Sequence, residues 1–299
     1  TWNLMHIPVL LNEVMTITHP QSGEFVIDGT ADGGGYSKEA LSRIGQSGTL
    51  LAVDWDSAMT ERLRTELKVY EKDGVRVAVA HGNFAELPKI LRRERLPRAD
   101  VLLLDLGFSS DQLEISERGF SFLRDEPLLM TYSDESEPVR DILRRLTEEE
   151  LIRVLSEFGE ERYARRIAYA IVAWERERPI LTSGELARIV AGAVPKGYER
   201  GRIHPATRTF QALRVYANKE LVNLTAVLKH LRLVLRHGGR GAIVSFHSRE
   251  DRIVKELLRA GQYAGYLKSL TKKPITPTVA EIAANPRARS AKLRAALVL

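Results

Sequence analysis

The stretch Asp28-Gly-Thr-Ala-Asp-Gly-Gly-Gly-Tyr-Ser37 decides the fold of this chain of 299 residues. It follows the short apolar run Phe25–Asp28 and opens a segment with helical spacing. Consecutive glycines lack Cβ atoms, so the backbone can turn sharply and approach a ligand closely. The start of the next helix would offer free N–H groups and the positive end of the helix dipole. The stretch therefore predicts a ligand-binding turn between a strand and a helix; a flexible glycine turn is the simpler alternative.

Apolar runs alternate with helical segments around this turn. The further runs are Thr49–Asp54, Arg76–Ala80 and Val101–Asp105. The order strand, helix, strand, repeated in this way, is typical of a parallel sheet covered on both faces. Asp28, Asp54 and Asp105 each end a run, so we expect these carboxylates at the carboxyl edge of the sheet, where ligands bind in open α/β folds.

The strand pattern stops after about residue 110, and helices are predicted instead. Thr147 and Thr182 are each followed three residues later by a glutamate, the spacing of a capping box at a helix start. We interpret residues 111–205 as an inserted, all-helical domain for substrate recognition. Residues 1–110 and 206–299 would then form a discontinuous α/β core.

The strand pattern resumes after the insertion. A long amphipathic helix is predicted over Phe210–His237, ended by Gly238 and Gly239. The remaining predicted elements are a strand over Gly241–Phe246, a helix over about Arg249–Arg259 with Ser248 and Asp251 as its capping box, and two strands over Tyr266–Leu270 and Leu293–Leu299.

The glycine pattern limits the choice of cofactor. Counted from Gly33, the dinucleotide fingerprint G-x-G-x-x-G is met at Gly35 but fails at Lys38, and a phosphate-binding P-loop is absent. A cofactor with a ribose but no pyrophosphate fits better, which favours S-adenosylmethionine. Asp54 would accept hydrogen bonds from the ribose hydroxyls.

Two further residues are candidates for the cofactor site. Phe84 would stack on an adenine ring, although a core position at a helix start is equally consistent with the sequence. Asp105 would hold the amino-acid end of the cofactor or the substrate; a strand-end acid in a solvated loop is the alternative. His247 follows the fifth strand and is either a catalytic or substrate-binding residue or a hydrogen-bonded structural one.

The composition bounds the class of protein. Lys and Arg number 45 against 39 Asp and Glu, a net charge of +6 that permits binding to a polyanion and equally fits a basic enzyme. With no cysteine, disulfides, zinc fingers and thiol nucleophiles are excluded. No apolar stretch approaches the ~20 residues of a membrane helix, and no secretory signal or metal-ligand spacing is evident. We expect a cytoplasmic protein without a metal.

Taken together, several blocks of sequence resemble the RsmH (MraW) family of bacterial ribosomal RNA methyltransferases. The similar blocks are His6–Glu13, Leu104–Leu113, Arg118–Phe122, Gly159–Glu161, His204–Arg214, Ser245–Ser248, Glu250–Arg252 and Asn285–Ser290. The similarity thus runs through almost the whole chain.

The resemblance implies a Rossmann-like class I methyltransferase core with inserted helices. It implies methylation at N4 of a cytidine in 16S ribosomal RNA of the small subunit, with S-adenosylmethionine as donor, and it raises a homodimer as an oligomeric state. The implied cofactor contacts are Gly34, Gly35, Tyr36, Asp54, Phe84, Asp105 and Gln112. Candidates for the proton acceptor are Asp105, Ser109 and His247, and those for RNA contacts are Arg208, Arg287, Arg289 and Lys292.

The chain departs from the family at several positions. Tyr36 stands where the family usually has His, and Asp32 where it has Gly; Asp tolerates left-handed backbone better than most residues. Leu129, Thr131 and Ser133 replace charged residues of the family pattern. This last change motivates an alternative function, a ribosome-assembly or RNA-binding factor that binds S-adenosylmethionine without normal methyltransferase activity. A nicotinamide-dependent oxidoreductase is a further alternative, against which the failed glycine at Lys38 argues.

Overall fold

The computed structural model describes residues 8–107, 117–198 and 203–299, and the chain divides into two compact units. The sheet unit comprises Thr1–Gly107 and Leu221–Leu299, and the helical unit comprises Phe108–Glu220. Residues 206–220, which the sequence assigned to the core, therefore cluster with the helical unit. A role for the helical unit in substrate recognition stays a prediction.

A seven-stranded sheet forms the centre of the sheet unit. Its strands are β1 (Phe25–Asp28), β2 (Thr49–Asp54), β3 (Arg76–His81), β4 (Ala99–Asp105), β5 (Leu235–Ser245), β6 (Leu267–Ser269) and β7 (Lys292–Val298), in the order β3-β2-β1-β4-β5-β7-β6. The first five in this order are parallel, and β7 is antiparallel to both neighbours. The predicted parallel sheet and the two predicted final strands are thus confirmed.

Thirteen α-helices lie in the described residues. They are α1 (Leu11–Thr18), α2 (Gly35–Ile44), α3 (Ser57–Leu67), α4 (Leu87–Arg93), α5 (Val139–Arg145), α6 (Glu148–Gly159), α7 (Ala164–Glu177), α8 (Ser183–Ala193), α9 (Thr207–Ala217), α10 (Glu220–Lys229), α11 (Leu231–Val234), α12 (Ser248–Tyr263) and α13 (Val279–Ala284). Short 3-10 helices cover Lys68–Asp73, Phe84–Glu86 and Pro286–Ser290. None of the helices in the described part of the chain has the length and apolar content needed to cross a membrane.

Two apolar clusters cover the two faces of the sheet. Successive strand residues point to opposite faces, so Ile27 and Leu102 belong to one cluster while Val26 and Leu103 belong to the other, and all four are buried. Burying a side chain of this kind stabilises the fold by about 1.5–3 kcal/mol. The uniform apolar runs of the sequence are therefore explained by burial on both faces.

The two outer strands of the sheet are β3 and β6. β6 has only three residues. At the other edge, Arg64 donates a hydrogen bond to the Val79 carbonyl oxygen and Arg93 donates one to the His81 carbonyl oxygen, each at 3.4 Å.

The predicted helix over Phe210–His237 is wrong. Three helices, α9 to α11, occupy most of this range, and β5 already begins at Leu235. Gly238 and Gly239 therefore end no helix but lie inside β5, where the register with β4 shifts. Gly238 has a φ of +78°, and a Cβ atom on Gly239 would lie 3.1 Å from the carbonyl oxygen of Ala99. Close backbone approach at this bulge accounts for the glycines.

Buried polar side chains fix the end of α9 in the helical unit. The Arg214 guanidinium donates to both carboxylate oxygens of Glu220, at 2.8 and 3.1 Å, and the Tyr132 hydroxyl donates to the same carboxylate at 2.9 Å. Asn218 accepts from the N–H of Tyr132 and donates to the Met130 carbonyl oxygen. These contacts tie the segment around Tyr132 to the end of α9.

The altered residues Leu129, Thr131 and Ser133 belong to this segment. Thr131 and Ser133 are buried, and Leu129 is partly buried. Arg118 donates to both the carbonyl oxygen and the hydroxyl of Thr131, at 3.3 and 3.4 Å, and also pairs with Asp134. Asp134 thus supplies the acidic partner of Arg118.

The capping box predicted at Thr147 is confirmed in both directions, because Thr147 Oγ1 accepts from Glu150 N and Glu150 accepts from Thr147 N. At Thr182 only the first half is present, since the Glu185 carboxylate accepts from Leu181 N instead.

Candidate functional site

The three strand-end carboxylates lie at one edge of the sheet. Asp28 stands beside Ala52 of β2 and Leu103 of β4 in the strand register, so β1, β2 and β4 end near one another. Asp54 and Asp105 end β2 and β4 and are partly buried, whereas Asp28 is 1% exposed. The predicted convergence of these carboxylates at the carboxyl edge is confirmed.

Asp54 holds the start of the glycine turn. Its Oδ2 accepts a hydrogen bond from the backbone N–H of Asp32 at 2.8 Å, and its Oδ1 accepts one from Asp56 at 2.8 Å. Burial raises the pKa of Asp54 to about 7, although these two hydrogen bonds act in the opposite direction. Each carboxylate oxygen keeps a further lone pair, so Asp54 has acceptor capacity for the hydroxyls of a ligand.

Asp28 supports the glycine turn from inside the protein. Its carboxylate accepts hydrogen bonds from the Ser37 hydroxyl at 2.7 Å and from Thr30 N at 3.3 Å. The hydroxyl of Thr30 in turn accepts from the N–H of Asp105 at 2.6 Å. Burial raises the pKa of Asp28 to about 6. Sequence reasoning noted Asp28 as a strand end but missed that Asp28 and Thr30 connect the glycine turn to Asp105.

The glycine turn itself has the predicted form. Asp32 adopts a left-handed φ of +41°, which confirms that Asp tolerates this position. Gly34, with a φ of +76°, precedes the first turn of α2 and makes no side-chain cap. The backbone N–H of Ser37 binds the Asp28 carboxylate, so the N–H groups of Gly35 and Tyr36 are the ones at the start of α2 that a ligand at the carboxyl edge could use.

Gly35 is required for a reason that the sequence did not reveal. A Cβ atom at Gly35 would lie 2.9 Å from Pro8 Cδ and closer still to Pro8 Cγ, so the residue makes room for Pro8. The close approach at Gly35 is thus made by another part of the chain, and any cofactor contact of Gly34 and Gly35 stays a prediction.

We expect Gly35→Ala to destabilise the fold by about 1–3 kcal/mol, because Pro8 must move to relieve the clash. Gly192→Ala is the matched control: Gly192 lies in α8, and in the described part of the chain nothing beyond the backbone of its own helix stands within 4 Å of the added Cβ. That control should be neutral or stabilise the helix by up to about 1 kcal/mol. Urea unfolding of both variants measures the difference, and equal stabilities would contradict the packing argument.

The Tyr36 side chain faces the core. It is 5% exposed, and its hydroxyl donates to the Val9 carbonyl oxygen. Burial, followed by the nearby charges of Asp105 and Asp28, raises the pKa of Tyr36 well above its ordinary value. The Tyr36 side chain is thus part of the core, and a cofactor contact of Tyr36, through its backbone in the first turn of α2, stays a prediction.

Phe84 begins the 3-10 helix after β3 and is partly buried. Its Cβ would lie 3.4 Å from a Cβ atom built on Gly29, so Phe84 flanks the first residue of the glycine turn. Asn83 caps the 3-10 helix by accepting from Ala85 N at 2.8 Å. This position is consistent with both hypotheses from the sequence, namely that Phe84 is a core residue at a helix start or that its ring stacks on an adenine.

Asp105 carries an unsatisfied acceptor. Its Oδ1 is inaccessible to solvent and has no hydrogen-bond partner among the residues that the structure describes. Burial, followed by the charges of Asp32, Asp28 and Glu250, raises the pKa of Asp105 well above its ordinary value. A buried polar atom without a partner lowers the stability of the fold by about 1–3 kcal/mol. A hydrogen-bond donor on a ligand, such as an ammonium or amino group, would remove this cost. Such a donor is present at the amino-acid end of S-adenosylmethionine.

His247 has a structural role at the start of α12. Its Nδ1 accepts from Glu250 N at 3.4 Å, and the Glu250 carboxylate accepts from Phe246 N and His247 N at 2.8 and 3.3 Å. The predicted capping box of Ser248 and Asp251 is therefore wrong, since the true pair lies one residue earlier. A catalytic role of His247 stays a prediction.

Asp251 instead binds two basic residues of β7. It accepts from Arg294 at 2.6 Å and from Lys292 at 3.3 Å, and these partners lower the pKa of its carboxyl group despite partial burial. Lys292, a predicted RNA contact, is thus engaged in an ion pair.

The other predicted RNA contacts are divided between the units. Arg287 and Arg289 are exposed on the 3-10 helix Pro286–Ser290 of the sheet unit. Arg208, in the helical unit, donates to the Glu160 carbonyl oxygen at 3.4 Å. Ser109 and Gln112 lie outside the described residues.

Similarity to known sequences identifies a family. The chain matches the MraW methylase family over residues 3–298. Ribosomal RNA small subunit methyltransferase H of Geobacter sp. (strain M21) is 44% identical over 306 residues, covering 97% of this chain and 97% of that protein. The protein of the same name from Syntrophotalea carbinolica is 42% identical and covers 97% of this chain and 96% of its own length. The mostly parallel sheet with antiparallel β7 confirms the predicted Rossmann-like class I architecture. Since the match spans nearly all of its residues, this chain belongs to the MraW methylase family.

Proposed function

We propose that this chain transfers the methyl group of S-adenosylmethionine to N4 of a cytidine in 16S ribosomal RNA of the small subunit. The observation that carries the proposal is the full-length similarity to proteins named ribosomal RNA small subunit methyltransferase H, at 44% identity. A ribosomal RNA substrate implies a cytoplasmic location. The homodimer stays a prediction.

Residues at the carboxyl edge of the sheet would hold the donor. Asp54 accepts hydrogen bonds from the ribose hydroxyls with the lone pairs that Asp32 and Asp56 leave free. The N–H groups at the start of α2 and the side chain of Phe84 bound the same edge. When bound, S-adenosylmethionine would supply a methyl group activated by its sulfonium: the nitrogen would bond to the methyl carbon as the carbon–sulfur bond breaks, and the neutral thioether would leave.

Asp105 is the residue of this site that we assign to the reacting end. Its Oδ1, which has no partner in the described part of the chain, would accept an N–H of the cytosine amino group or of the donor's amino-acid end. In the first case, the bond directs the N4 lone pair at the methyl group, and the carboxylate takes the proton that N4 loses as the new N–C bond forms. Holding the two reactants in line would supply much of the rate enhancement. The target base has to be unstacked to reach this position.

The experiment is transfer of tritiated methyl from S-adenosylmethionine to small subunits that lack the modification. Digestion of the RNA to nucleosides and mass spectrometry should identify N4-methylcytidine. Naked 16S ribosomal RNA, assayed in parallel, tells whether an assembled particle is required. Binding of S-adenosylmethionine without transfer to either substrate would contradict the proposal and favour the assembly factor considered above. Binding of NAD in place of S-adenosylmethionine, measured by calorimetry, would contradict the assignment of the cofactor itself.

A further inference from the structure

One face of α7 in the helical unit is strongly basic and exposed. The opposite face is buried through Ala164, Ile167, Ala168 and Ile171. The outer face carries Arg165, Arg166, Tyr169 and Arg176, all exposed. At about 100° per residue, Arg165, Tyr169 and Arg176 lie within about 40° of one another around the helix axis, and Arg166 flanks them. We call these four residues the arginine–tyrosine face.

The positive charges of this face are not neutralised by ion pairs with carboxylates of the described residues. None of the three arginines has a carboxylate within ion-pair distance in the described part of the chain. Of the two acids of α7, Glu175 accepts from Ile180 N at 2.8 Å, and Glu177 lies at the rim, about 80° around the axis from Tyr169. Arg166 lies with its guanidinium 5.9 Å from the centre of the Tyr163 ring, a contact that leaves its N–H groups able to bind an anion. The N–H groups of all three arginines are therefore available to an external anion.

Tyr169 adds a flat apolar surface in the middle of these charges. It is 65% exposed. An arginine guanidinium suits bidentate contacts to phosphate, and an exposed aromatic ring provides a stacking surface for an unstacked base. An acidic protein segment would satisfy the arginines but would leave Tyr169 without a matching partner.

We propose that the arginine–tyrosine face binds single-stranded RNA, with the arginines on phosphates and Tyr169 stacked on a base. The proposal rests on the proposed function, because it assigns a contact surface for the same RNA substrate. It also gives the helical unit a specific part in substrate binding, on residues different from Arg208.

The test uses the full chain and a single-stranded RNA oligonucleotide, with binding measured by fluorescence anisotropy at several salt concentrations. The triple variant Arg165→Gln, Arg166→Gln, Arg176→Gln should weaken binding at least tenfold. The slope of log K against log salt should fall by about 2, since each lost phosphate contact of a single strand contributes about 0.7. Tyr169→Ala should weaken binding about fivefold or more, the effect of losing one stacked base.

A matched control removes the same charge from another exposed helix. Arg252, Lys255 and Arg259 are exposed on α12 of the sheet unit, near the exposed Tyr263. The exposed Glu256 lies among them, about 40° around the helix axis from Arg252, so an acidic residue interrupts this face. The triple change of these three residues to Gln should alter RNA affinity less than twofold. Equal losses of RNA affinity in both triple variants would mean that overall charge, not this face, governs binding, and would overturn the proposal. The proposal would also be overturned if polyglutamate displaced the bound oligonucleotide as effectively as unlabelled RNA does.

Calorimetry with S-adenosylmethionine separates this inference from the proposed function. Both triple variants should bind the donor like the unchanged protein. If the unchanged protein methylates small subunits while the α7 variant binds and methylates RNA equally well, only the inference about α7 fails. If the unchanged protein neither binds RNA nor methylates it, the proposed function fails.

Discussion

Asp54→Ala is expected to weaken the binding of S-adenosylmethionine about 100-fold or more. The change removes the acceptor for the ribose hydroxyls, and hydrogen bonds to a charged group are worth about 1.5–3 kcal/mol each. It also releases the N–H of Asp32, which Asp54 holds at 2.8 Å, and with it the start of the glycine turn. A loss of two such bonds corresponds to about a hundredfold change in Kd. Isothermal titration calorimetry measures the change.

Asp56→Ala is the control for that experiment. Asp56 lies two residues further on and caps α3 by accepting from Ala58 N and Met59 N at 2.9 and 3.2 Å. Its loss should cost about 1 kcal/mol of stability while donor affinity changes less than about threefold, since its backbone N–H still binds Asp54. If Asp54→Ala binds S-adenosylmethionine as tightly as the unchanged protein and circular dichroism shows an intact fold, the assignment of the cofactor pocket is wrong.

Asp105→Asn is expected to lower kcat for methyl transfer by about 100-fold or more. The amide keeps the size of the side chain but cannot take the proton from N4, and positioned proton acceptors contribute about 10²–10⁴ to rates. Burial raises the pKa of Asp105, and only its ionised form can take the proton from N4. The rate of the unchanged enzyme should therefore be low at pH values below the pKa of Asp105 and should rise as the pH passes through that pKa. This pH dependence should be absent in the variant.

Asp100→Asn provides a control on the same strand. Asp100 lies near the amino end of β4, where it accepts from Phe25 N at 2.8 Å and pairs with Arg236. We expect this variant to lose some stability but to keep the rate and its pH profile. A rate for Asp105→Asn within about threefold of the unchanged enzyme would rule out Asp105 as the acceptor and direct attention to Ser109.

The parts of the fold that local sequence determines were predicted well. Buried parallel strands read as continuous apolar runs, and a strand followed by consecutive glycines reads as a turn into a helix. The positions of Asp54 and Asp105 follow from these two patterns alone. The family resemblance added Tyr36 as a contact but gave no indication that the Tyr36 ring faces the core.

Long-range contacts explain the failures. The apolar period of 3.6 residues continues past Asn218, yet the helix ends there because Asn218 binds Met130 and Tyr132, more than 80 residues earlier in the chain. Gly238 and Gly239 look like a helix stop but serve a bulge against β4. The capping error at Ser248 arose because His247 and Glu250 have the same spacing as Ser248 and Asp251, and only the structure shows that Asp251 belongs to Arg294.

The outer strands have a consequence for how two copies of the chain could associate. A continuous intermolecular sheet needs a long, unpaired border with free carbonyl groups. β6 offers three residues, and the carbonyl oxygens of Val79 and His81 on β3 are already occupied by guanidinium groups. These features weigh against strand-to-strand pairing between copies at the two borders.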